Sequence, residues 1–147
     1  MMKTYSYRAA LEPGDDPQVT VVTFPDVPEA ITDGVGPVDV RAQAEDALGV
    51  ALLSYPLRGL PLPEPTEGPG PVITPAPDVA AKLAVLEAFA ASGLTQTALA
   101  ARVGLAPREI RRILDPMHAT KLPTLTRTLA ALGRRLVLGV VDISDAA

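Results

Sequence analysis

Gln96-Thr97-Ala98-Leu99-Ala100-Ala101-Arg102-Val103-Gly104-Leu105-Ala106-Pro107-Arg108-Glu109-Ile110-Arg111-Arg112-Ile113 reads as two short helices meeting at a tight turn. Ala100 is small enough for the second helix to pack close to the first. Gly104 supplies a turn conformation that a residue with a side chain resists. Leu99, Val103, Leu105, Ile110 and Ile113 point into one shared core. Together these residues make the pattern of a helix-turn-helix, whose second helix enters the major groove and meets base edges that carry a readable code. Here the second helix spans 107–114, with Pro107 in its first turn, where a missing N–H leaves nothing unbonded.

The outward positions of that helix are Arg108, Glu109, Arg111 and Arg112. Arg108 and Arg112 are four apart and share a face, and Arg111 follows Arg108 by three. Arginine grips guanine through two hydrogen bonds, each good pair discriminating by about 1–3 kcal/mol, so these three are the candidate base readers. Thr95, Gln96 and Thr97 stand at the start of the preceding helix, where hydroxyls, an amide and unpaired backbone N–H groups hold a phosphate. His118 and Lys121 follow the reading helix and are placed to grip the backbone further along.

Working outward, the rest of 78–147 is helical. Asp78 is the expected N-cap of a helix whose Val79, Leu83, Leu86 and Ala90 share a face and which Gly93 closes. A last helix starts at Pro123 or Thr124 and runs to Leu132, and residues 134–141 read as a closing strand. Eight of the sixteen prolines lie between Pro56 and Pro77, a density no helix tolerates, so 61–77 is an extended, stiff connector. Within it, 72–74 is apolar enough to pair as a last strand of the first domain. Residues 1–60 form that domain. Residues 3–11 alternate with Tyr5, Tyr7 and Ala9 on one face, 18–24 are β-branched and apolar, and 29–32 make a third strand ending at Asp33-Gly34. Pro37 opens a helix with Val40, Ala44, Ala47, Leu48, Ala51 and Leu52 at helical spacing, and Pro56 stops it. The fold class is α+β: a small sheet with one helix across it, then an all-α unit with a closing strand.

Charge divides the same way. Residues 1–77 carry four basic against eleven acidic side chains, net −7; residues 78–147 carry nine against six, net +3. Within 102–135 the balance is eight basic against two acidic, net +6. The basic stretch suits phosphate, and the acidic half suits a basic partner. No cysteine is present, which excludes disulfides and thiolate metal sites. Aromatics are only 3%, so the core is aliphatic. The beginning of the chain lacks the apolar run of a signal peptide, and no stretch approaches the ~20 apolar residues of a membrane span, so a cytoplasmic location without membrane contact is expected. The single histidine has no visible catalytic partner, no zinc-ligand cluster or phosphate loop with its lysine is apparent, and no catalytic residue, metal or cofactor is assigned. Two other classes fit parts of the pattern: a stand-alone helix-turn-helix regulator whose small sheet senses a ligand, and a magnesium-dependent nuclease using Asp26 and Asp33.

Over nearly its whole length the chain resembles the HicB family of antitoxins that carry a helix-turn-helix tail. The resemblance rests on Phe24-Pro25-Asp26-Val27-Pro28-Glu29-Ala30, Thr32-Asp33-Gly34 and the alanine-rich helix after them. It continues in Ala81-Lys82-Leu83-Ala84-Val85-Leu86-Glu87-Ala88 and Gly93-Leu94-Thr95-Gln96. Its most specific segments are Leu114-Asp115-Pro116-Met117-His118-Ala119-Thr120-Lys121-Leu122 and Ala130-Ala131-Leu132-Gly133-Arg134-Arg135-Leu136. It implies a partial RNase H-like fold in the first half that covers the active site of a small HicA toxin, an mRNA-cleaving protein. It implies a tail that binds an inverted-repeat operator and represses the operon, and self-association into a dimer or tetramer. Met117 departs from the basic residue frequent in the family, and Ala106 from its usual polar cap. The carboxylate set of an RNase H is missing, so no nuclease activity is carried over. The toxin-facing surface is assigned to Asp26, Glu29 and Asp33, whose charge complements a basic RNA-cleaving protein.

Overall fold

A computed structural model describes residues 2–143. Its order is β1 (Tyr7–Arg8), β2 (Ala10–Pro13), β3 (Val19–Thr23), β4 (Ile31–Val35), α1 (Pro37–Leu57), β5 (Val72–Ile73), α2 (Pro77–Ser92), α3 (Gln96–Val103), α4 (Pro107–Ile113) and α5 (Leu122–Ala131). The protein is α+β: a small antiparallel sheet region with a helix, followed by a helical region. The single strand expected over 3–11 divides at Ala9. β1 pairs antiparallel with β5, while β2 joins β3 and β4 in a three-stranded antiparallel sheet. The Ala9 N–H leaves the ladder and donates to the Pro71 carbonyl at 2.8 Å, so one segment serves two sheets. The alternation holds nonetheless, and Tyr5, Tyr7 and Ala9 are all buried.

The third strand lies two residues later than expected. Asp33 and Gly34 belong to β4 rather than ending it. Gly34 is there for close packing, because a Cβ on it would lie 2.9 Å from Val40 Cα at the start of α1. The turn belongs to Gly36, at φ 81° and ψ 158°, an extended positive-φ conformation open to glycine because it has no Cβ. α1 then begins with Pro37, and Asp39 in its first turn accepts from the Val35 N–H at 2.9 Å. Its Val40, Ala44, Leu48, Ala51 and Leu52 are buried against β4 and Phe24 in the first core. Pro56 lies inside the last turn of α1, one residue before its end, rather than stopping it at the residue before.

α2 starts two residues earlier than read from sequence: Ala76 is its N-cap in place of Asp78, Pro77 takes N1, and Asp78 sits in the first turn. The helix serves both cores. Val79 and Leu83 pack on the first core, whereas Ala81, Val85 and Ala88 face Leu99, Val103, Ile110, Ile113, Leu125 and Leu129 in the second. α5 likewise begins at Leu122, a residue ahead of the expected Pro123. Residues 134–141 are not a strand. Their β-branched and apolar composition favours one, but among the described residues no neighbouring strand offers them a ladder, and Val137, Leu138, Val140 and Val141 are exposed.

The proline-rich segment lies against the first half. The Tyr7 hydroxyl donates to the Pro63 carbonyl at 2.7 Å, and Thr66 is bonded to Asp26. β5 then closes on β1.

Candidate nucleic-acid interface

α3 and α4 are joined by Gly104, Leu105 and Ala106. Gly104, at φ 75°, donates its N–H to the Ala100 carbonyl at 2.9 Å, and Leu105 donates to the same oxygen at 3.1 Å. Arg127 of α5 reinforces this corner by donating to the Val103 carbonyl at 2.7 Å. Sequence reading missed Arg127, because its partner lies 24 residues away and nothing local marks it.

α4 turns Ile110 and Ile113 into the second core and leaves Arg108, Glu109, Arg111 and Arg112 exposed. Ala106 offers no side-chain cap, but Glu109 accepts from the Ala106 N–H at 3.3 Å, giving half of a capping box. Thr95, Gln96 and Thr97 are exposed at the start of α3. The Thr95 hydroxyl oxygen accepts from the Ala98 N–H at 3.1 Å, so it caps the helix and keeps its own hydrogen to donate. His118 and Lys121 are exposed on the connection to α5. A shallow depression of about 290 Å³ brings Arg112, His118 and Lys121 together, floored by Leu105 and Ile113. Arg108 and Arg111 stand outside it, as do the α3 residues. No carboxylate other than Glu109 lines it.

The three acidic residues of the first half are not equivalent. Asp26 accepts from the Thr66 N–H at 2.9 Å and from its hydroxyl at 2.8 Å, and these bonds hold its carboxyl below the usual aspartate range. Glu29 accepts from the Tyr55 hydroxyl at 2.6 Å and from Arg58 at 3.2 Å. The hydroxyl, with smaller help from Arg58, lowers the Glu29 carboxyl, while burial and that same carboxylate raise the Tyr55 phenol. Asp33 is exposed on β4, an edge strand of the three-stranded sheet, between the exposed side chains of Ile31 and Val35. Asp26 and Glu29 are therefore tied to their own chain, and Asp33 is the most outward of the three.

Among the described residues no group of three histidines, cysteines or carboxylates is placed to hold a metal ion. No single described helix is long and apolar enough to cross a membrane.

Fold and surface together define a small α+β protein with a helical face rich in arginine and a sheet edge bearing Asp33. No protein-family model matches the chain. It is similar to Antitoxin HicB 1 of Photorhabdus laumondii, with 37% identity over 142 residues, covering 95% of this chain and 90% of that protein. It is similar to Antitoxin HicB of Escherichia coli K12, with 37% identity over 123 residues, covering 82% and 89%. A third relative, Antitoxin HicB of Pseudomonas fluorescens, is 27% identical over 143 residues, covering 95% and 98%. The chain belongs to the HicB family of antitoxins.

Proposed function

We propose that this chain is a non-catalytic antitoxin that binds and silences a HicA-type mRNA-cleaving toxin through its acidic half. In the same reading it represses its own operon through a helix-turn-helix made by α3 and α4. The observation that carries the DNA half is the two-sidedness of α4: Ile110 and Ile113 are buried, while Arg108, Arg111 and Arg112 face solvent together. Arg108 and Arg112 are the base readers, with Arg111 beside them. Thr95, Gln96, Thr97, His118 and Lys121 take phosphates on either side, and the local excess of positive charge strengthens the grip.

The toxin half rests on the relatives' shared name and on charge. A protein that cleaves RNA needs a basic surface, and the sheet half carries a net −7. The edge strand β4 presents Ile31, Asp33 and Val35 outward, an apolar and acidic mixture suited to a protein interface; Asp26 and Glu29 flank it from the preceding loop.

One reading helix contacts too few base pairs for specificity, so the protein acts as a dimer or tetramer. The operator is an inverted repeat with half-sites about 34 Å apart or a multiple of that. The exposed apolar run through Val137, Leu138, Val140, Val141 and Ile143 supplies side chains that self-association would cover. Both proposed ligands, transcript-cutting toxin and promoter, place the action in the cytoplasm, with no cofactor needed.

The test is a gel shift on the DNA upstream of the operon, run beside a growth-rescue assay against the neighbouring toxin. The wild type shifts that DNA and restores growth, and Arg112→Ala weakens the shift without affecting rescue. A wild type that neither prefers its own promoter nor rescues growth overturns the proposal.

A further inference from the structure

Lys82 is the least expected residue of the second core. It is 3% exposed, although lysine is almost never buried unless paired. Its ammonium donates to the Ile113 carbonyl at 2.6 Å and to the Thr120 hydroxyl at 2.7 Å. It also reaches the carbonyls of Asp115 at 3.2 Å and Arg112 at 3.3 Å. Three N–H hydrogens are thus shared among four oxygens, two of them held closely.

Those oxygens have a common origin. Arg112 and Ile113 end α4, and their carbonyls are among the last four of the helix, which lack partners further along it. Asp115 and Thr120 lie one residue inside the two ends of the connection that carries His118, which runs over 114–121. One positive charge therefore caps the carboxy-terminal end of α4, where the helix dipole favours a cation, and draws the two ends of the following segment together. α4 needs such support. It has seven residues, far below the ~12–15 at which an isolated helix becomes even marginal, and its N-cap Ala106 has no side chain to accept from the first turn.

Stability alone does not explain a charge here. Burial opposes the ammonium strongly enough to pull its pKa down to about 8, and an apolar side chain of similar volume commonly serves a core as well or better. What an apolar side chain cannot do is fix directions. We infer that Lys82 is a positioning residue for DNA recognition, locking α4 and the Asp115-to-Thr120 connection into one unit so that Arg108, Arg112, His118 and Lys121 meet the duplex in a single register. This inference rests on the reading of α4 as the DNA-contacting helix. Lys82 touches no DNA in it and acts only through the backbone it holds.

The experiment uses the full chain with Lys82→Met, which keeps an unbranched apolar stem and removes the ammonium. Fluorescence anisotropy gives affinities for the upstream DNA and for an unrelated duplex of equal length, at least 15 °C below the melting temperature of the variant. Hydrogen exchange is followed at residues 114–120. The variant is expected to bind upstream DNA at least tenfold more weakly, to bind unrelated DNA within threefold of wild type, and to exchange those amides faster. Growth rescue against the toxin stays unchanged. Upstream affinity within twofold of wild type overturns the inference, and so does an equal loss on both duplexes, which marks a general effect on charge or folding. Should Lys82→Met fail to fold, Thr120→Val removes one acceptor and leaves the lysine its carbonyls; a threefold or larger selective loss supports the inference and no loss overturns it. If wild type itself does not prefer the upstream DNA, the DNA reading fails on its own. Hydrogen exchange then decides whether Lys82 holds the segment, and unchanged exchange in the variant overturns that too.

Discussion

The carboxylate of Asp26 is held by Thr66, forty residues further along the chain, through a backbone N–H at 2.9 Å and a hydroxyl at 2.8 Å. This pair fastens the proline-rich segment to the loop before β4. Both bonds favour the ionised carboxyl and lower its pKa below 3.8, the ordinary value it regains on unfolding. The stability they supply is present above that value and is lost as pH falls through the lowered one. Asp26→Ala should therefore melt at a lower temperature than wild type at pH 7, with the difference shrinking as pH drops below 3.8. Amide exchange at Thr66 should rise about tenfold in the variant at neutral pH. Thermal melts at pH 7, 5 and 3 and exchange measured at pH 7 check both.

Gly34 and Gly36 separate close packing from backbone strain within three residues. A methyl at Gly34 meets Val40 Cα and N at 2.9 Å, and neither backbone atom moves without shifting α1. Overpacking of this kind costs about 1–3 kcal/mol. A methyl at Gly36 meets nothing within 4 Å, but its φ of 81° with ψ 158° is a region almost confined to glycine and strains any other residue by roughly 1–3 kcal/mol. Urea unfolding should find both variants destabilised. Only Gly34→Ala should also shift the β4 and early α1 resonances in a proton–nitrogen spectrum.

Gly104→Ala tests the corner between α3 and α4. The new methyl would lie 3.2 Å from the Arg127 guanidinium, the free end of a flexible side chain, so it is φ 75° that decides the outcome. A loss of about 1–2 kcal/mol is expected in urea, with DNA affinity falling more than toxin affinity because the strain sits at the base of α4.

Salt separates base readers from phosphate holders. Binding that neutralises 6–10 phosphates weakens by roughly 10³–10⁵ between 50 and 200 mM salt. Lys121→Ala should weaken binding to all sequences and lower the slope of log affinity against log salt by about 1. Arg108→Ala should instead cost about 1–3 kcal/mol on the upstream DNA and relax its sequence preference. Anisotropy titrations across a salt series on two duplexes distinguish the two outcomes.

Much of this was legible in sequence where the signal is local. The alternation of Tyr5, Tyr7 and Ala9 marked a buried face, and the spacing of Val40, Ala44, Leu48 and Leu52 marked the inner face of α1. Thr95 as a cap and Gly104 as a turn residue were both readable from a few neighbours. What escaped depends on distant partners. Lys82 falls in a helical pattern where a lysine normally faces water, and its acceptors lie 30 to 38 residues away. The second apolar face of α2 is built of Ala81, Val85 and Ala88, too small to stand out beside Leu83 and Leu86. Gly34 looked like a strand terminator because close approach to Val40 leaves no trace in the residues around it. Residues 134–141 have the composition of a strand, yet a strand also needs a hydrogen-bonding neighbour, and composition says nothing of that. On the surface, exposure of Arg108, Arg111 and Arg112 followed from the burial of Ile110 and Ile113. The intramolecular bonds of Asp26 and Glu29 did not follow from anything nearby.

In the proposed reading one chain keeps two separate surfaces, acidic for a toxin and basic for DNA. This division is tested most directly in cells that carry the neighbouring toxin gene under one inducer and a reporter behind the operon's own promoter. Wild type should restore growth and silence the reporter, while the double variant Arg108→Ala, Arg112→Ala should restore growth equally and leave the reporter active. A double variant that loses rescue along with repression, or a wild type that achieves neither, contradicts the account.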